Sequence, residues 1–568
     1  MKIGLISDFN TDILSRMIQN DDNDYNVVSF PYAQVYQSLI SVAQNKLPAS
    51  CYIGGNDSVE NEFQAESKLD NLFVWTRPEK IFNEFLKLTE FKIIDKEKLL
   101  KEVDLFSDSL IDTANSVGNL FIMSWVKSAY HSGYGMSDYK ENLGISYFIN
   151  IINNRLNENI SNISNIFMLD IERCLFNIKK INDNKMWYIS KTAYSLDVFK
   201  KVKEELYSCI NGLEGKSRRL IVVDLDNTLW GGVLGDLGWE NVKIGGHDYI
   251  GEAFSDFQKA LKSLTNRGIL LAIASKNYEG VALSAINNNS EMILKENDFS
   301  SWKINWQDKA QNILDIAKDV NLGLSSIVFI DDNPAERARV AEALPEVFVP
   351  EWPKNPVDYT EALLSLLCFN TSSITQEDRV RSKMFVQNRE RRDLLNLFSH
   401  DEWLESIEME VIVEEINSKN SVRTAQLLNK TNQFNMQTRR MSENEFIDWS
   451  KQKNKKMFTF SVKDKFGDSG LTGVISFLYK ENKLIIQDFI MSCRVMGREI
   501  ERLMIGYIIK EAKKLNISII EAKYIKTDRN KPIYEFLNNS GFNRNGNIYS
   551  WDCNNNYPCP DFIKLIEN

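Results

Sequence analysis

The chain has 568 residues, of which 43% are hydrophobic and 11% aromatic, which is enough for several buried cores and excludes general disorder. At about 100–200 residues per domain, this length predicts three to five domains, and three is the favoured number. The net charge of −10, from 68 Lys and Arg against 78 Asp and Glu, argues against nucleic-acid binding as the main role.

No apolar run approaches the ~20 residues that span a bilayer, so the sequence predicts no membrane span. The opening KIGLIS favours a first β-strand over a signal peptide. The seven cysteines contain no CxxC pair, which predicts neither a zinc site nor a disulfide framework and favours a cytoplasmic protein. Only three histidines are present, which excludes most histidine-dependent chemistry.

Residues 1–215 alternate short apolar runs with helical stretches, for example LFVW at 72–75 and LFIMSWV at 120–126. Strands separated by helices predict an α/β sheet domain. The segment at 211–219, NGLEGKSRR, has two glycines and a basic cluster. It places the first domain boundary after residue 215.

Residues 216–373 contain three apolar strands that end in polar residues, RLIVVDLD, ILLAIAS and SIVFIDDNP, with amphipathic helical segments between them. This order predicts a doubly wound sheet that binds its ligand at the carboxyl ends of the strands. Residues 374–568 begin with charged helical sequence and continue with the strands MFTFSVKD, GLTGVISFLY and LIIQDFIMS, then a helix and a further strand. That order predicts a third domain, of the α+β type.

Two pairs of carboxylates follow strands of the middle block. Asp224 and Asp226 come directly after RLIVV, and side chains two residues apart in a strand share a face. Asp331 and Asp332 follow the strand SIVFI. Like charges held together are costly unless a cation or a proton separates them, and Mg²⁺ prefers such oxygen ligands. The sequence therefore predicts a magnesium site, with a surface acidic loop as the weaker reading.

The order of these residues resembles the haloacid dehalogenase (HAD) superfamily, whose four motifs are Asp-x-Asp-x-Thr, a strand-end Ser, a Lys and a strand-end Asp pair. The resemblance implies that Asp224 is a nucleophile attacking phosphorus and that Asp226 is the general acid and then the general base. Thr228 and Ser275 would hydrogen-bond the transferring phosphoryl group, and Lys309 would neutralise its charge and hold Asp224.

The same resemblance implies an Mg²⁺ site formed by Asp224, Asp226, Asp331 and Asp332, with the backbone after Asp224 contributing. The expected substrate-binding residues are Lys276, Asn277, Asn333, Arg494, Gly497 and Arg498. The spacing of the motifs leaves no room for a large cap domain over the site. Members without a cap often accept a phosphate carried by a macromolecule.

Longer strings resemble the FkbH-like family over essentially the whole chain: residues 226–233 (DNTLWGGV), 329–337 (FIDDNPAER), 430–435 (KTNQFN), 464–468 (DKFGD) and 492–498 (SCRVMGR). That family implies an enzyme that transfers a glyceryl unit from 1,3-bisphosphoglycerate to a phosphopantetheinylated acyl carrier protein with loss of phosphate, for polyketide biosynthesis. It also implies an SGNH-hydrolase-like domain at 1–215, a HAD-like phosphatase domain at 216–373 and a GNAT-like domain at 374–568.

The sequence departs from the family pattern at one position. The residue before the motif-two serine is usually Cys, but here it is Ala274, and alanine cannot form a thioester. Cys493 is the alternative thiol. The simpler interpretation of Cys493 is a small buried residue at the end of a strand. A simple HAD phosphatase acting on a carrier-bound or cell-surface-precursor phosphate is therefore the first alternative. A non-catalytic assembly protein and an N-acyltransferase that uses the third domain are the others.

The end of the third block resembles an acetyltransferase, because a strand runs into Arg494-x-x-Gly497-Arg498 at a helix start, where backbone N–H groups bind phosphate well. The resemblance implies coenzyme A or phosphopantetheine as a ligand, although Glu499 would repel a pyrophosphate. A docking module is the alternative. In the first block, residues 54–57 (GGND) resemble an SGNH block, but no histidine lies between 132 and 246, so we expect a degenerate domain.

Overall fold

The computed structural model describes residues 1–21, 25–46, 52–53, 68–128, 130–246, 248–371, 374, 385, 399–439, 441, 443–480 and 482–567. It divides into two compact units, Met1–Tyr207 and Ser208–Asn568. The second unit holds two separate sheets. The three-domain division predicted from the sequence, with boundaries at 215/216 and 373/374, stays a prediction.

The first unit is built on a six-stranded sheet with the order β3-β2-β1-β4-β5-β6, in which only β3 is antiparallel to its neighbour. Its strands are β1 Lys2–Ser7, β2 Asn26–Ser29, β3 Tyr52–Ile53, β4 Asn71–Trp75, β5 Asn119–Met123 and β6 Ile166–Leu169. The mixed α/β architecture expected of this block is present. The GGND segment at 54–57 lies outside the described residues.

The helices of the first part of the chain are α1 Asp12–Asp21, α2 Val35–Ala43, α3 Pro78–Ile81, α4 Asn83–Thr89, α5 Lys96–Ala114, α6 Ile145–Ile160, α7 Ile171–Leu175, α8 Asn184–Ser190 and α9 Leu196–Leu213. Helices α2, α5 and α6 cover one face of the sheet with buried apolar residues such as Leu39, Phe106 and Ile152. A short 3₁₀ turn lies at Gly135–Ser137.

The first sheet of the second unit has four parallel strands in the order β10-β7-β8-β9. They are β7 Leu220–Val223, β8 Leu270–Ser275, β9 Phe299–Ile304 and β10 Ile327–Ile330. The helices around it are α10 Leu234–Leu237, α11 Tyr249–Asn266, α12 Glu279–Asn288, α13 Lys309–Asp319, α14 Pro334–Ala343 and α15 Tyr359–Leu364. Short 3₁₀ turns lie at Glu296–Asp298, Leu324–Ser326, Pro356–Asp358 and Leu367–Phe369.

Both faces of this sheet are buried, which explains why its strands are continuous apolar runs rather than alternating ones. Ile221 and Val223 of β7 pack in the layer that contains α11 and α15. Leu220 and Val222, which point the other way, pack in the layer that contains α13 and α14. The doubly wound arrangement predicted for the middle block is confirmed.

The second sheet of this unit has eight strands in the order β16-β17-β15-β14-β13-β12-β11-β18. They are β11 Glu410–Glu415, β12 Lys455–Asp464, β13 Gly467–Lys480, β14 Lys483–Met491, β15 Ile519–Lys523, β16 Asn543–Asn545, β17 Ile548–Asp552 and β18 Lys564–Glu567. The helices are α16 His400–Ser406, α17 Ser421–Lys430, α18 Glu443–Ser450, α19 Ile500–Lys514 and α20 Lys531–Asn539. A 3₁₀ turn lies at Cys493–Val495.

Strands β14 and β15 run parallel, but their pairing stops at Ile486 and Ala522. Beyond that point an inserted segment, Phe434–Met436, bonds to both sides. The Met436 N–H donates to the Phe489 carbonyl at 3.2 Å, and the Ile525 N–H donates to the Met436 carbonyl at 3.1 Å. The inserted segment therefore fills the space between the two diverging chains. Among the described residues, we find no helix both long and apolar enough to cross a bilayer.

Candidate active site

The carboxyl edge of the four-stranded sheet, where its parallel strands end, gathers the polar residues singled out above. Asp224 follows β7, Asp331 follows the neighbouring β10, and Ser275 is the last residue of β8. Lys309 is the first residue of α13, which begins shortly after β9 ends. Asp308 caps that helix, because its carboxylate accepts the Ala310 N–H at 3.0 Å.

Lys309 is the centre of the charge arrangement. Its side-chain ammonium lies 2.6 Å from Asp331 Oδ2 and 3.0 Å from Asp224 Oδ1, and the residue is only 3% exposed. Burial opposes the ammonium charge, but the two carboxylates outweigh it and raise the pKa of Lys309. The lysine therefore stays charged and fixes both aspartates in place, as the superfamily resemblance implies.

Asp224, Asp331 and Asp332 form an acidic cluster in which one carboxylate oxygen of each lies within 4.8 Å of the others. Burial, and after it the negative charge of Asp224, raise the pKa values of Asp331 and Asp332. A divalent cation would relieve this repulsion, and three carboxylates are a donor set that a hard ion such as Mg²⁺ prefers. The residues present therefore fit the predicted metal.

Asp226 is not part of that acidic cluster. Its Oδ1 accepts hydrogen bonds from the Trp230 indole at 2.9 Å and from the Leu234 N–H at 3.1 Å, and its Oδ2 accepts from the Asn277 amide at 3.0 Å. The predicted fourth metal carboxylate is thus held by protein donors instead. Burial raises the pKa of Asp226 despite these donors, which suits a general acid.

The turn after β7 separates Asp226 from Asp224. Asn227 has a φ of 55°, a left-handed conformation that asparagine tolerates well, and its side chain accepts the Gly232 N–H at 2.8 Å. Gly231 and Lys243 pair as an antiparallel bridge, so residues 231–243 form a hairpin that contains α10. Within the described part of this block the hairpin is the insertion after β7, and it is far too short to be a cap domain.

Thr228 is fully buried, and its hydroxyl accepts the backbone N–H of Asp332 at 3.1 Å. It therefore positions Asp332, which differs from the contact with the transferring phosphoryl group expected from the sequence. Arg337 was missed as a site residue. Its guanidinium donates to the carbonyls of Asp331 and Asp332 at 2.7 and 2.8 Å and holds the turn after β10. An Arg one turn into the helix after the Asp pair is the signal that could have identified it.

The remaining predicted residues of this edge have protein partners of their own. Lys276 forms an ion pair with Glu336 at 2.6 Å. Asn333 caps α14 by accepting the Ala335 N–H at 2.9 Å, and Asn277 binds Asp226. The structure thus brings Asn277 to the carboxylates, whereas the side chain of Asn333 is used as the N-cap of helix α14.

The arginines of the predicted anion loop are buried structural residues. Arg498 is 4% exposed and donates to Asp464 Oδ2 at 3.0 Å and to the Arg494 carbonyl at 2.8 Å. Arg494 is also 4% exposed, and Gly497 has a φ of 78° beside open space. Guanidinium groups that are already hydrogen-bonded inside the domain speak against binding of coenzyme A or phosphopantetheine by this loop.

Cys493 does not lie near the acidic cluster. It lines a cavity of about 250 Å³ together with Ser325 and Ser326, which precede β10, whereas Asp331 follows β10. The four residues of this strand separate its two ends by about 13 Å. Ala274 is fully buried in the layer that packs on α13. Neither position therefore offers a thiol to Asp224 in this structure.

The first unit holds a different pair at the carboxyl end of its sheet. Asp8 follows β1, and both its oxygens accept hydrogen bonds from Arg77, whose side chain lies over the ring of Trp187. β1 and β4 flank the point where the strand order reverses, the usual ligand site of such sheets. His131 contacts the Thr89 carbonyl and accepts the Gly133 N–H. These contacts are structural.

Residues 219–381 match the family model described as NLI interacting factor-like phosphatase. The crystal structure of the N-terminal part of the protein BF1531 from Bacteroides fragilis, containing a phosphatase domain complexed with Mg, is 29% identical. The match covers 66% of this chain and 95% of that chain, with a TM-score of 0.55.

A putative acetyltransferase of the GNAT family from Desulfovibrio desulfuricans is 11% identical over 25% of this chain and 99% of its own, with a TM-score of 0.21. That score is too low to support a conclusion about the eight-stranded sheet. A comparison with curated proteins found no match. The family-model match and the similarity to the Bacteroides phosphatase structure agree with the strand-end aspartates. The chain contains a phosphatase domain of the haloacid dehalogenase type.

Proposed function

We propose that this domain hydrolyses or transfers the phosphoryl group of a phosphomonoester, with Asp224 as the nucleophile and Mg²⁺ as the metal. The observation that carries the proposal is the buried arrangement of Asp224, Lys309 and Asp331, with Asp332 alongside, at the carboxyl edge of the sheet. Burying a lysine together with three carboxylates costs free energy of desolvation, and such clusters occur mainly where they have a function.

In the proposed reaction, a carboxylate oxygen of Asp224 attacks phosphorus and the bond to the ester oxygen breaks. Asp226 gives its proton to the departing oxygen, which leaves as an alcohol. Asp226, now ionised, takes a proton from the water that attacks the aspartyl-phosphate, and inorganic phosphate leaves. Ser275 at the end of β8 supports the proposal as a donor to the phosphoryl oxygens, and Lys309 offsets their charge.

Asp224, Asp331 and Asp332 would hold the magnesium ion, which when bound neutralises phosphoryl charge and orients the substrate. Thr228 and Arg337 position Asp332 and its neighbour through the contacts described above. The protein's share of the catalysis is placement of charge, which is what phosphoryl transfer chiefly requires.

The test is release of inorganic phosphate from 4-nitrophenyl phosphate with and without Mg²⁺. Wild-type protein should turn over only with the metal, and Asp224→Asn should lose at least about a thousandfold in kcat. Thr228→Ser keeps the hydroxyl that holds Asp332 and is the matched conservative control. Equal rates for wild type and Asp224→Asn would contradict the proposal.

A second candidate is the transfer of a glyceryl unit from 1,3-bisphosphoglycerate to an acyl carrier protein, as the FkbH-like motifs imply. The observation that favours it is the site's short hairpin cover, residues 231–243, which leaves room for a substrate carried by a macromolecule. Since Ala274 and Cys493 offer no thiol beside Asp224, we propose that any transfer goes directly to the thiol of the carrier.

Intact-protein mass spectrometry tests this candidate. Wild-type protein, Mg²⁺, 1,3-bisphosphoglycerate made in situ and a phosphopantetheinylated carrier should give a carrier with an added glyceryl or phosphoglyceryl mass. The enzyme itself should gain no acyl mass, and Cys493→Ala should transfer as wild type does. Phosphate release with an unmodified carrier would leave the phosphatase proposal and reject this one.

The flanking parts have narrower proposals. We propose that the first unit is a degenerate SGNH-hydrolase-like scaffold, supported by the Asp8–Arg77 pair at its strand-order reversal. We also propose that the GNAT-like third part is a docking module. The inserted segment Phe434–Met436 supports this reading, since it fills the gap beside β14 that a cofactor would otherwise use.

A further inference from the structure

Two large aromatic side chains are exposed on the segments that follow β8 and β9, two strands of the sheet that carries the active site. Tyr278 is 68% exposed and Trp306 is 64% exposed. Their rings contact each other edge to face, with centroids 5.7 Å apart and an interplanar angle of 72°. Single exposed apolar residues are common on protein surfaces, but a contacting pair of this size beside a site is typical of ligand recognition.

The pair adjoins the reacting carboxylates. Tyr278 follows Asn277, whose amide binds Asp226. Trp306 lies three residues before Lys309, which forms an ion pair with Asp224. Three residues span at most about 10 Å between Cα atoms, so the backbone at Trp306 lies within that distance of the backbone at Lys309.

The loop that carries Trp306 is fixed to the neighbouring strand end. The Asn305 N–H donates to the Ser275 carbonyl at 3.0 Å, and the Asn305 side chain accepts the Gln307 N–H at 2.9 Å. The two aromatic residues therefore extend from strand ends that are hydrogen-bonded to each other. Their arrangement is built into the sheet edge before any ligand arrives.

The hairpin at residues 231–243 contacts the same aspartate as Asn277 does. The Leu234 N–H binds the second oxygen of the Asp226 carboxylate, so residues around 234 and 277 flank the same group. Val233 and Leu237 of this hairpin are 43% and 42% exposed. Exposed apolar side chains thus lie next to both of the residues, Leu234 and Asn277, that contact Asp226.

We propose that Tyr278 and Trp306 form a platform on which the planar or apolar organic group of the substrate stacks. The site then selects phosphate esters of aromatic or apolar alcohols over esters of small polar alcohols such as glycerol. This inference rests on the proposed phosphatase function and specifies its substrate class. Aromatic contacts of this type account for about a fivefold to tenfold difference in affinity.

The test is calorimetric binding of two phosphonates that cannot be hydrolysed, 1-naphthylphosphonate and methylphosphonate, to the full chain with Mg²⁺. Wild type should bind the naphthyl compound at least about tenfold more tightly. Trp306→Ala and Tyr278→Ala should each weaken naphthyl binding about fivefold and leave methylphosphonate within about twofold. Trp306→Phe should retain most of the preference. Tyr139→Ala, at a 76% exposed residue of the first unit, is the control.

Hydrolysis of 1-naphthyl phosphate and glycerol 2-phosphate separates this inference from the proposed function. If wild type hydrolyses both, but the two alanine variants bind and process both as wild type does, the platform is wrong and the phosphatase proposal stands. If wild type hydrolyses neither, yet naphthyl binding depends on Trp306, the phosphatase proposal fails and the platform stands. Neither hydrolysis nor Trp306-dependent binding would overturn both.

Discussion

Replacing Lys309 with methionine should destabilise the metal-free protein strongly. Methionine keeps an unbranched side chain of similar length, so Lys309→Met removes the charge with little change in packing. The ammonium lies 2.6 Å from Asp331 and 3.0 Å from Asp224, and Asp331 is fully buried. The variant therefore leaves buried carboxylates without their cation.

The size of the effect follows from these contacts. With an effective dielectric constant of about 20, unit charges at 2.6 and 3.0 Å attract by about 6 kcal/mol each. Desolvation of the ammonium offsets much of this attraction, and breaking a buried ion pair typically costs about 3–5 kcal/mol. A carboxylate can escape by taking up a proton. From the ordinary pKa of 3.8, this uptake costs about 4 kcal/mol at pH 7 and about 2 kcal/mol at pH 5.

The difference in stability between wild type and variant should therefore be about 3–5 kcal/mol at pH 7 and smaller at pH 5. The native variant binds a proton that its unfolded state releases above the ordinary aspartate pKa, so the variant loses stability as pH rises. Added Mg²⁺ should restore part of the loss, because it replaces the missing positive charge within the acidic cluster.

Equilibrium urea unfolding in EDTA, followed by circular dichroism at pH 5 and pH 7, measures this difference. Lys262→Met is the matched control, because Lys262 pairs with Asp298 at 2.8 Å on the surface of the same unit. Its loss should stay below about 1 kcal/mol. A Lys309→Met protein as stable as the control at pH 7, or a deficit that grows at pH 5, would refute the reasoning.

Three further predictions concern single contacts. Asn277→Ala removes a hydrogen-bond donor that favours the ionised form of Asp226, so the pKa of Asp226 should rise further. The basic limb of the pH profile of kcat/KM should then move to higher pH. A basic limb that does not move would argue against Asp226 as the general acid. Arg337→Met should weaken Mg²⁺ binding about tenfold or more, because the turn that carries the proposed ligands Asp331 and Asp332 loses two hydrogen bonds. Calorimetry measures this affinity, and an unchanged value would reject the positioning role of Arg337. Arg498→Met should lower the unfolding free energy by about 3 kcal/mol or more, because the buried side chain of Asp464 loses its ion pair with Arg498, while phosphatase kcat/KM stays within about twofold. A stable variant with weakened coenzyme A binding would restore the predicted anion role.

The site on the four-stranded sheet could be predicted from sequence because its determinants are local. An apolar run such as LIVV followed by Asp224 predicts both the strand and the edge of the sheet at which this carboxylate lies, whereas the turn that carries Asp226 away from Asp224 was not predicted. Parallel strands then bring the residues that follow β7, β8 and β10 to one edge whatever the lengths of the helices between them. The position of Lys309 followed in the same way, because it lies at the start of the helix that comes after the next strand, β9.

Contacts between residues distant in sequence could not be predicted in this way. Nothing local to Arg498 indicates that its partner is Asp464, 34 residues earlier, at the end of β12. The same limit applies to the inserted segment Phe434–Met436, whose partners belong to β14 and to the chain after β15. Cys493 is a suitable thiol by sequence, but only the packing of the two sheets shows that it lies at the opposite edge from Asp224.

The most direct test of the central claim is to trap the phosphoryl group on Asp224. Wild-type protein would be mixed with Mg²⁺ and 4-nitrophenyl phosphate, quenched in acid within a single turnover and digested for peptide mass spectrometry. The peptide that contains Asp224 should carry the mass of one phosphoryl group, and this mass should be absent without Mg²⁺ and in Asp224→Asn. Rapid phosphate release with no modified peptide, or with the phosphoryl group on another residue, would contradict the account.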